Sequence, residues 1–130
     1  MIVDASALLE VLLRSAAASQ LEALMFESGT SLHAPHLIDI EAAQVIRKFA
    51  LSGKISPSVG ADALADLAGF PLRRYPHDFL LPWIWELRHT VSAYDASYVA
   101  LAEVLGMPLL TRDARLAAAA SATVSVRGAD

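Results

Sequence analysis

The hydrophobic positions of this chain alternate between short apolar runs and longer stretches in which apolar residues recur with helical spacing. The short runs predict strands at 1–3, 31–34, 72–75, 109–111 and 123–126. The longer stretches predict helices at 5–14, 19–27, 37–51, 56–68, 77–89, 92–105 and 114–120. Because strands that alternate with helices form parallel sheets, this pattern predicts an α/β fold.

Proline and glycine residues indicate where several predicted helices begin and end. Ser56 followed by Pro57 is typical of a helix start, because serine caps the helix and proline suits its first turn. Gly106 favours the left-handed conformation that ends a helix, and Pro108 cannot continue one. Pro82 is expected to lie in the first turn of its helix or to kink it.

The length of 130 residues is typical of a single domain, which is expected to span residues 1–130. The hydrophobic fraction of 55% exceeds the usual ~45–50%, which suggests that another chain covers part of the apolar surface. The chain has no cysteine, so disulfides, a thiolate nucleophile, a zinc ribbon and an iron–sulfur cluster are excluded.

No membrane span or export signal is predicted. Residues 1–10 lack the basic start of a signal peptide, and Asp4 and Glu10 interrupt their apolar stretch. The longest purely apolar run, 79–85, is far shorter than the ~18–20 residues that a membrane span requires. Together with the lack of cysteine, these features predict a soluble, cytoplasmic protein with no membrane partner.

The net charge of −4 at first argues against a nucleic-acid partner, because contacts with phosphate dominate such binding. Clustered carboxylates contribute to this charge, however, and bound divalent cations would reverse their local field. Basic residues also gather in several places, where they are either solvated surface or candidate substrate contacts. These residues are Arg73, Arg74, His77, Arg88, His89, Arg112 and Arg115.

Four carboxylates are predicted to meet near one edge of the sheet. Asp4 and Asp113 follow predicted strands, and ligands of open α/β sheets bind at the carboxyl ends of strands. Asp95 lies in the first turn of its helix, where the helix dipole favours an anion. Glu41 lies at the margin of an apolar helical stripe, from which it can reach the rim of a cleft. The stripe consists of Ala42, Val45, Ile46, Phe49 and Ala50.

Converging carboxylates repel one another unless they bind protons or a cation. Mg²⁺ or Mn²⁺ would relieve the repulsion, since both prefer oxygen ligands and bridge carboxylates to phosphate. Such a centre supports phosphodiester hydrolysis by an oriented water molecule. Each residue also has a simpler interpretation: Asp4 and Asp113 as helix N-caps, Asp95 as a favourable first-turn charge, and Glu41 as solvated surface.

The segments that contain these acids resemble the PIN-domain family, and specifically its VapC-type toxins. They are IVDASALL at 2–9, APHLIDIEAAQVIRK at 34–48, AYDASYVALAE at 93–103 and PLLTRDARL at 108–116. They occur in the order and at the spacing of the family, and the resemblance spans essentially the whole chain. It implies a single PIN-like domain in which helices flank both faces of a central, mostly parallel β-sheet.

The resemblance also implies an activity and the residues that carry it. Asp4, Asp95 and Asp113 match the aspartates that hold a divalent ion in the family. Glu41 matches the acidic residue that completes the cluster, directly or through water. The implied reaction is endonucleolytic cleavage of structured RNA, such as tRNA or rRNA, with Mg²⁺ as the cofactor and Mn²⁺ as an expected substitute.

Three further residues lie beside these positions. Ser6 and Thr111 match hydroxyl positions next to the acids and are expected to support them by hydrogen bonds. Asp39 is the nearest rival of Glu41, but a separation of two residues along a helix puts it on another face. Asp39 is therefore expected to be a support or cap residue.

The family resemblance implies protein partners as well. It predicts a homodimer and a small VapB-like antitoxin that threads a peptide across the cleft, so that the chain would be the toxin of a toxin–antitoxin pair. Residues 8–14 and 20–26, which belong to the first two predicted helices, form a second candidate groove for an antitoxin helix. Several aromatic residues could contribute to either interface, although core packing is expected for most of their rings. They are Phe79, Trp83, Trp85, Tyr94 and Tyr98.

Three competing functions remain open. A structure-selective DNA nuclease would use the same acids as a ribonuclease. A phosphatase with an aspartyl nucleophile would need a second acid two residues after Asp4. Ser6 occupies that place, which argues against a phosphatase. A binding module whose acids hold only a structural ion is the non-enzymatic alternative.

Overall fold

The structure of this chain is a computed structural model that describes residues 1–128. Its strands are β1 (Ile2–Val3), β2 (Leu32–Pro35), β3 (Leu72–Tyr75), β4 (Leu109–Leu110) and β5 (Val126–Arg127). Its helices are α1 (Ala5–Leu12), α2 (Ala18–Met25), α3 (Leu37–Leu51), α4 (Pro57–Ala68), α5 (Leu81–Glu86), α6 (Ala93–Leu105) and α7 (Ala114–Ala120). Residues 129 and 130, the end of the predicted single domain, lie outside the described residues.

The strands form one five-stranded sheet in the order β3-β2-β1-β4-β5, and every described pairing is parallel. The predicted α/β fold is therefore confirmed. From the central strand β1 the chain moves outward through β2 to β3, then returns to the other side of β1 for β4 and β5. This reversal creates a topological switch point at the carboxyl ends of β1 and β4, where ligands bind in folds of this kind.

The core lies around the central strands and α6. β1 and β4 are completely buried, and α6 is buried along its middle turns. Small residues such as Ala96, Ala100 and Ala102 let this helix lie against β1, β2 and β4. Ser92 caps the helix through its hydroxyl, and Gly106 ends it with φ +63°, as the sequence predicted.

Two predicted elements differ from the structure by more than two residues at one end. The helix predicted at 77–89 is a 3₁₀ turn at Asp78–Leu80 followed by the short helix α5. Pro82 lies in the first turn of α5 and has no N–H to continue an α-helical ladder from the residues before it. The last strand begins at Val126 rather than at 123, because the amides of Thr123 and Val124 both donate to the carbonyl of Ala120 and close a turn after α7.

The prediction that most of the five aromatic rings pack in the core is wrong. Only Tyr98 is buried, at 1% exposure, whereas Trp85 is 64% and Tyr94 63% exposed. Phe79 and Trp83 are exposed as well. Trp83 and Trp85 belong to α5, which has five apolar residues among its six but can turn only one side towards the core.

Within residues 1–128, every helix is too short or too polar to cross a lipid bilayer.

Candidate active site

Four carboxylates from four separate segments of the chain line one open cleft of about 510 Å³. Asp4 follows β1, Glu41 lies in α3, Asp95 lies in the first turn of α6, and Asp113 lies between β4 and α7. We call this cleft, with these four residues, the acidic cleft. It lies at the switch point of the sheet, which is where the strand pattern predicted a ligand site.

The carboxylate of Asp4 is buried and fixed in place by three hydrogen bonds. Its Oδ1 accepts from the backbone N–H of Ala7 at 3.0 Å and from the Ser6 hydroxyl at 2.7 Å. Its Oδ2 accepts from the Thr111 hydroxyl at 2.5 Å. The bond from Ala7 makes Asp4 the N-cap of α1, so the cap interpretation and the site interpretation apply to the same side chain.

Thr111 and Ser6 connect the ends of β1 and β4. The Thr111 hydroxyl is fully buried, donates to Asp4 and accepts from the backbone N–H of Asp113 at 3.0 Å. The Ser6 hydroxyl donates to Asp4 and accepts from the backbone N–H of Arg112 at 2.9 Å. The two hydroxyls thereby tie the loop that carries Asp113 to the strand end that carries Asp4.

Asp113 and Asp95 occupy the starts of two helices that meet at the cleft. Asp113 caps α7, with Oδ1 accepting from the N–H groups of Arg115 and Leu116 at 2.9 and 3.2 Å. The backbone N–H of Asp95 donates to the hydroxyl of Ser92 at 3.2 Å, and Asp95 lines the cleft. Both side chains are partly exposed.

Glu41 is positioned by Tyr98, for which the sequence predicts only a role in core packing or at an interface. The Tyr98 hydroxyl donates to Oε1 of Glu41 at 2.5 Å. Tyr98 lies three residues after Asp95, so both project from the same side of α6. That spacing is the signal that could have identified Tyr98 as a residue of the site.

The electrostatics of the acidic cleft favour protons or a cation. Burial raises the pKa of the Asp4 carboxyl, and Asp113 raises it further, although three hydrogen bonds act in the opposite direction. Burial also raises the pKa of Glu41, with smaller contributions from Asp95 and Asp4 against the hydrogen bond from Tyr98. Burial and then Asp113 raise the pKa of Asp95, while the Arg115 guanidinium lowers it. The three carboxyls thus lack sufficient counter-charge.

The donor set fits a hydrated hard cation. The titratable side chains of the acidic cleft are carboxylates and tyrosines, with no histidine or cysteine that would favour zinc. Within residues 1–128, no three His, Cys, Asp or Glu side chains are arranged to hold one metal ion directly. Mg²⁺ suits this spacing, because it keeps several waters and usually contacts only one or two carboxylates.

Asp39 has a structural role, which agrees with its assignment as a support residue. Both of its carboxylate oxygens accept from Nε of Arg74, at 3.0 and 2.8 Å, and this ion pair joins α3 to β3. Arg74 also donates to the backbone carbonyls of Leu67 and Leu72. Arg74, one of the basic residues identified in the sequence, therefore stabilises the fold.

Comparison with known proteins agrees with this architecture. The PIN domain family model matches residues 1–122. Ribonuclease VapC1 of Mycobacterium tuberculosis is 45% identical over 120 residues, which cover 91% of this chain and 89% of that protein. Ribonuclease VapC9 of the same organism is 44% identical over 115 residues, or 88% and 87% of the two chains.

A solved structure shares the fold over nearly its whole length. Mycobacterium tuberculosis VapC20, described as a sarcin-ricin loop cleaving toxin, matches with a TM-score of 0.72 and 18% identity. The match covers 97% of this chain and 98% of VapC20. The family model and the extent of identity to the two ribonucleases lead to one conclusion: the chain belongs to the PIN-domain family, in its VapC-type group.

Proposed function

We propose that this chain is a divalent-metal-dependent endoribonuclease that acts as the toxin of a VapBC-like toxin–antitoxin pair. The observation that carries this proposal is the acidic cleft, in which four carboxylates from distant segments face one another with raised pKa values for three of them. The relatives named as ribonucleases support the choice of RNA, since they match about nine-tenths of the chain, 91% in the case of VapC1.

In this proposal Asp4, Glu41, Asp95 and Asp113 hold Mg²⁺, or Mn²⁺ in its place, some of them through water. A bound ion would supply positive charge to stabilise the reacting phosphate and would favour the ionised form of a nearby water. The protein keeps the carboxylates in place before the ion arrives. The hydroxyls of Ser6, Thr111 and Tyr98 restrict the rotation of two of them.

The reaction is a hydrolysis of the phosphodiester bond. The oxygen of water forms a bond to phosphorus while the bond from phosphorus to a ribose oxygen breaks. A proton leaves the water, and the departing ribose oxygen takes one up. Glu41 is suited to accept the proton from water at Oε2, because Tyr98 engages its other oxygen.

The substrate is proposed to be a loop in a structured RNA such as tRNA or rRNA, since loops expose unpaired bases and accessible phosphates. The test incubates the purified chain with defined tRNA and rRNA fragments and with DNA of the same sequences. Cleavage of RNA with Mg²⁺ or Mn²⁺, and its loss with a chelator, are the expected results. Cleavage of DNA but not RNA would support the DNA nuclease instead, and metal binding without cleavage the binding module.

A matched pair of variants makes the assay specific to the acidic cleft. Asp4→Asn is expected to abolish cleavage and any growth arrest on expression, because it removes the most buried carboxylate of the four. Asp62→Asn makes the same chemical change at an exposed position of α4 and is expected to leave cleavage unchanged. If Asp4→Asn cleaved RNA as fast as the unchanged chain, the assigned chemistry would be wrong.

The proposed off-switch is a VapB-like antitoxin. The two helices of the predicted groove, α1 and α2, pack against each other, and a cavity of about 540 Å³ lies between them and α4. Arg14, Phe26 and Phe70 are among the residues that line it. Co-expression of the adjacent open reading frame is expected to restore growth and to yield a complex that purifies with this chain. Failure of that product to bind would exclude it as the antitoxin.

We also propose a homodimer that uses the exposed apolar side chains around α5. These residues, Phe79, Leu81, Trp83 and Trp85, follow one another closely in the chain and are all at least 41% exposed. Large apolar patches of this kind mark protein interfaces. The double variant Trp83→Ala, Trp85→Ala is expected to elute as a monomer where the unchanged chain is a dimer. An unaltered dimer mass by light scattering would place the interface elsewhere.

A further inference from the structure

Asp95 and Asp113 separate two cavities with different linings. On one side lies the acidic cleft, which is lined mainly by apolar atoms beyond its carboxylates. On the other side lies a smaller cavity of about 270 Å³, to which the same two aspartates contribute. We call it the polar cavity. The remaining residues around it are Thr90, Val91, Ser92, Arg115 and Leu116.

The acidic cleft offers an exposed ring beside the acids. Tyr94 is 63% exposed and directly precedes Asp95 in α6, while Ile40 is 70% exposed and directly precedes Glu41 in α3. Both side chains line the cleft. Exposed aromatic rings next to a nuclease centre are suited to stacking against an unpaired base, since every base has a flat π-face.

The polar cavity contains one positively charged side chain. Arg115 has an exposed side chain, and its positive charge is felt at Asp95. In the part of the chain that the structure describes, the ion pairs engage Arg74 and Arg127 but not Arg115. A guanidinium in this position is suited to bind a phosphate through two N–H groups.

We propose that an RNA strand crosses Asp95 and Asp113, with a base stacked on Tyr94 in the acidic cleft and a neighbouring phosphate bound to Arg115 in the polar cavity. This inference rests on the proposed ribonuclease function and adds the residues that hold its substrate. Bases and phosphates alternate along a strand. On either side of the two shared aspartates, the acidic cleft adds a mainly apolar lining and the polar cavity adds the guanidinium of Arg115. A base can enter the cleft only when it is unpaired.

The phosphate contact is tested by the salt dependence of KM for a loop RNA. Arg115→Ala is expected to raise KM about 10-fold, and to reduce the slope of log KM against log salt by about 0.7, the value for one phosphate contact on a single strand. Arg115→Lys keeps the charge and is expected to keep most of the slope. Arg73→Ala, which removes an equal charge from the edge strand β3, is the control and is expected to leave the slope unchanged.

The stacking contact is tested with a modified substrate. Tyr94→Ala is expected to raise KM about 10-fold, whereas Tyr94→Phe retains the ring and the affinity. An RNA that lacks one base beside the cleavage site is expected to bind the unchanged chain as weakly as intact RNA binds Tyr94→Ala. Removal of that base is expected to weaken binding to Tyr94→Ala no further. Phe26→Ala removes an exposed ring outside both cavities and serves as the control.

The outcomes separate this inference from the proposed function. If Tyr94→Ala and Arg115→Ala both match the unchanged chain in KM and salt slope, while Asp4→Asn is inactive, the strand path is wrong and the nuclease assignment stands. Equal cleavage of a fully paired duplex would also contradict the path. If the unchanged chain cleaves no RNA with either metal, both proposals fail together.

Discussion

Two clusters of polar groups lie against the sheet, but they satisfy those groups in opposite ways. In the His33 cluster, which joins β2 to β3, the ring nitrogens of His33 bond to the hydroxyls of Ser31 and Tyr75, each at 2.7 Å. At the carboxyl ends of β1 and β4, the acidic cleft collects carboxylates whose pKa values are raised by burial and by one another. The hydrogen bonds of the first cluster are satisfied within the chain, whereas the carboxylates of the second lack sufficient counter-charge.

Helix α3 contains the same contrast within two residues. Asp39 has a guanidinium partner in Arg74, and no other role is needed to explain it. Glu41 faces the acidic cleft, where its hydrogen-bond partner is the uncharged hydroxyl of Tyr98. A buried carboxylate without a counter-charge reduces stability, so such a residue is expected where function requires it.

The largest effect is expected when the acidic cleft loses its most buried member. Asp4→Asn is expected to reduce kcat by about 10³-fold or more, because a charge used in the transition state is lost. Its melting temperature is expected to change little, because removal of an ionised buried group offsets the loss of the hydrogen bond from Thr111 to Oδ2, while the amide oxygen still caps α1. A fold weakened together with activity would indicate a structural role instead, which thermal denaturation of the variant would reveal.

A second pair of variants tests the contrast along α3. Glu41→Gln is expected to lower RNA cleavage by about 10–100-fold with little change in stability, as for loss of a group near a metal centre. Asp39→Asn is expected to leave cleavage intact and to lower stability by about 1 kcal/mol or less, because its ion pair is partly exposed. Kinetic assays and denaturant unfolding measure the two quantities. The reverse assignment of effects would overturn the division between the two carboxylates.

The His33 cluster is expected to affect stability alone. His33→Leu leaves the hydroxyls of Ser31 and Tyr75 without their ring partner, which costs about 1–3 kcal/mol in the free energy of unfolding. The kcat of this variant is expected to equal that of the unchanged chain. A large loss of kcat in a folded His33→Leu protein would show that the two clusters are coupled.

The smallest expected effect is an opposite response of the two clusters to pH. Burial raises the pKa of Asp4 above its ordinary 3.8 and that of Glu41 above 4.5, so their contribution to stability is full below these values and lost as pH rises through the raised ones. Burial, and then the nearby positive charges of the terminal amine and Arg73, lower the pKa of His33 below 6.5. Its contribution is present above pH 6.5 and is lost as pH falls through the lowered value.

Melting temperatures of the unchanged chain, Asp4→Asn and His33→Leu across pH 4 to 8 measure these responses. Asp4→Asn is expected to gain stability relative to the unchanged chain as pH rises, and His33→Leu to lose least at low pH. Millimolar Mg²⁺ is expected to stabilise the unchanged chain near neutral pH, because it binds the ionised folded state, and to have little effect at pH 4. Parallel curves for all three proteins would contradict the comparison.

Much of this architecture could be predicted from the sequence because local signals and fold agree. The bounds of α3 follow from apolar spacing, the start of α4 from Ser56 and Pro57, and the boundary between α6 and β4 from Gly106 and Pro108. The positions of Asp4 and Asp113 at strand ends were sufficient to place them at one edge of the sheet. The pairing of Asp39 with Arg74 was not predictable, because it depends on how α3 lies against β3.

Other features depend on tertiary distances that no local pattern contains. The bond from Tyr98 to Glu41 joins residues 57 positions apart and was not predicted. That from Thr111 to Asp4 joins residues 107 apart and was expected only from the family resemblance. The exposure of Trp83 and Trp85 depends on which side of α5 faces the core, and five of its six residues are apolar. Apolar composition alone therefore predicted burial for rings that the fold leaves at the surface.

The central claim is that the four carboxylates of the acidic cleft share one cation. The most direct test is to measure Mn²⁺ binding by electron paramagnetic resonance. The single variants Asp4→Asn, Glu41→Gln, Asp95→Asn and Asp113→Asn are each expected to weaken Mn²⁺ binding by about 10-fold or more, while Asp39→Asn and Asp62→Asn bind like the unchanged chain. If the unchanged chain binds no Mn²⁺ at millimolar concentration, or if the four variants bind it equally well, the carboxylates do not form a metal centre.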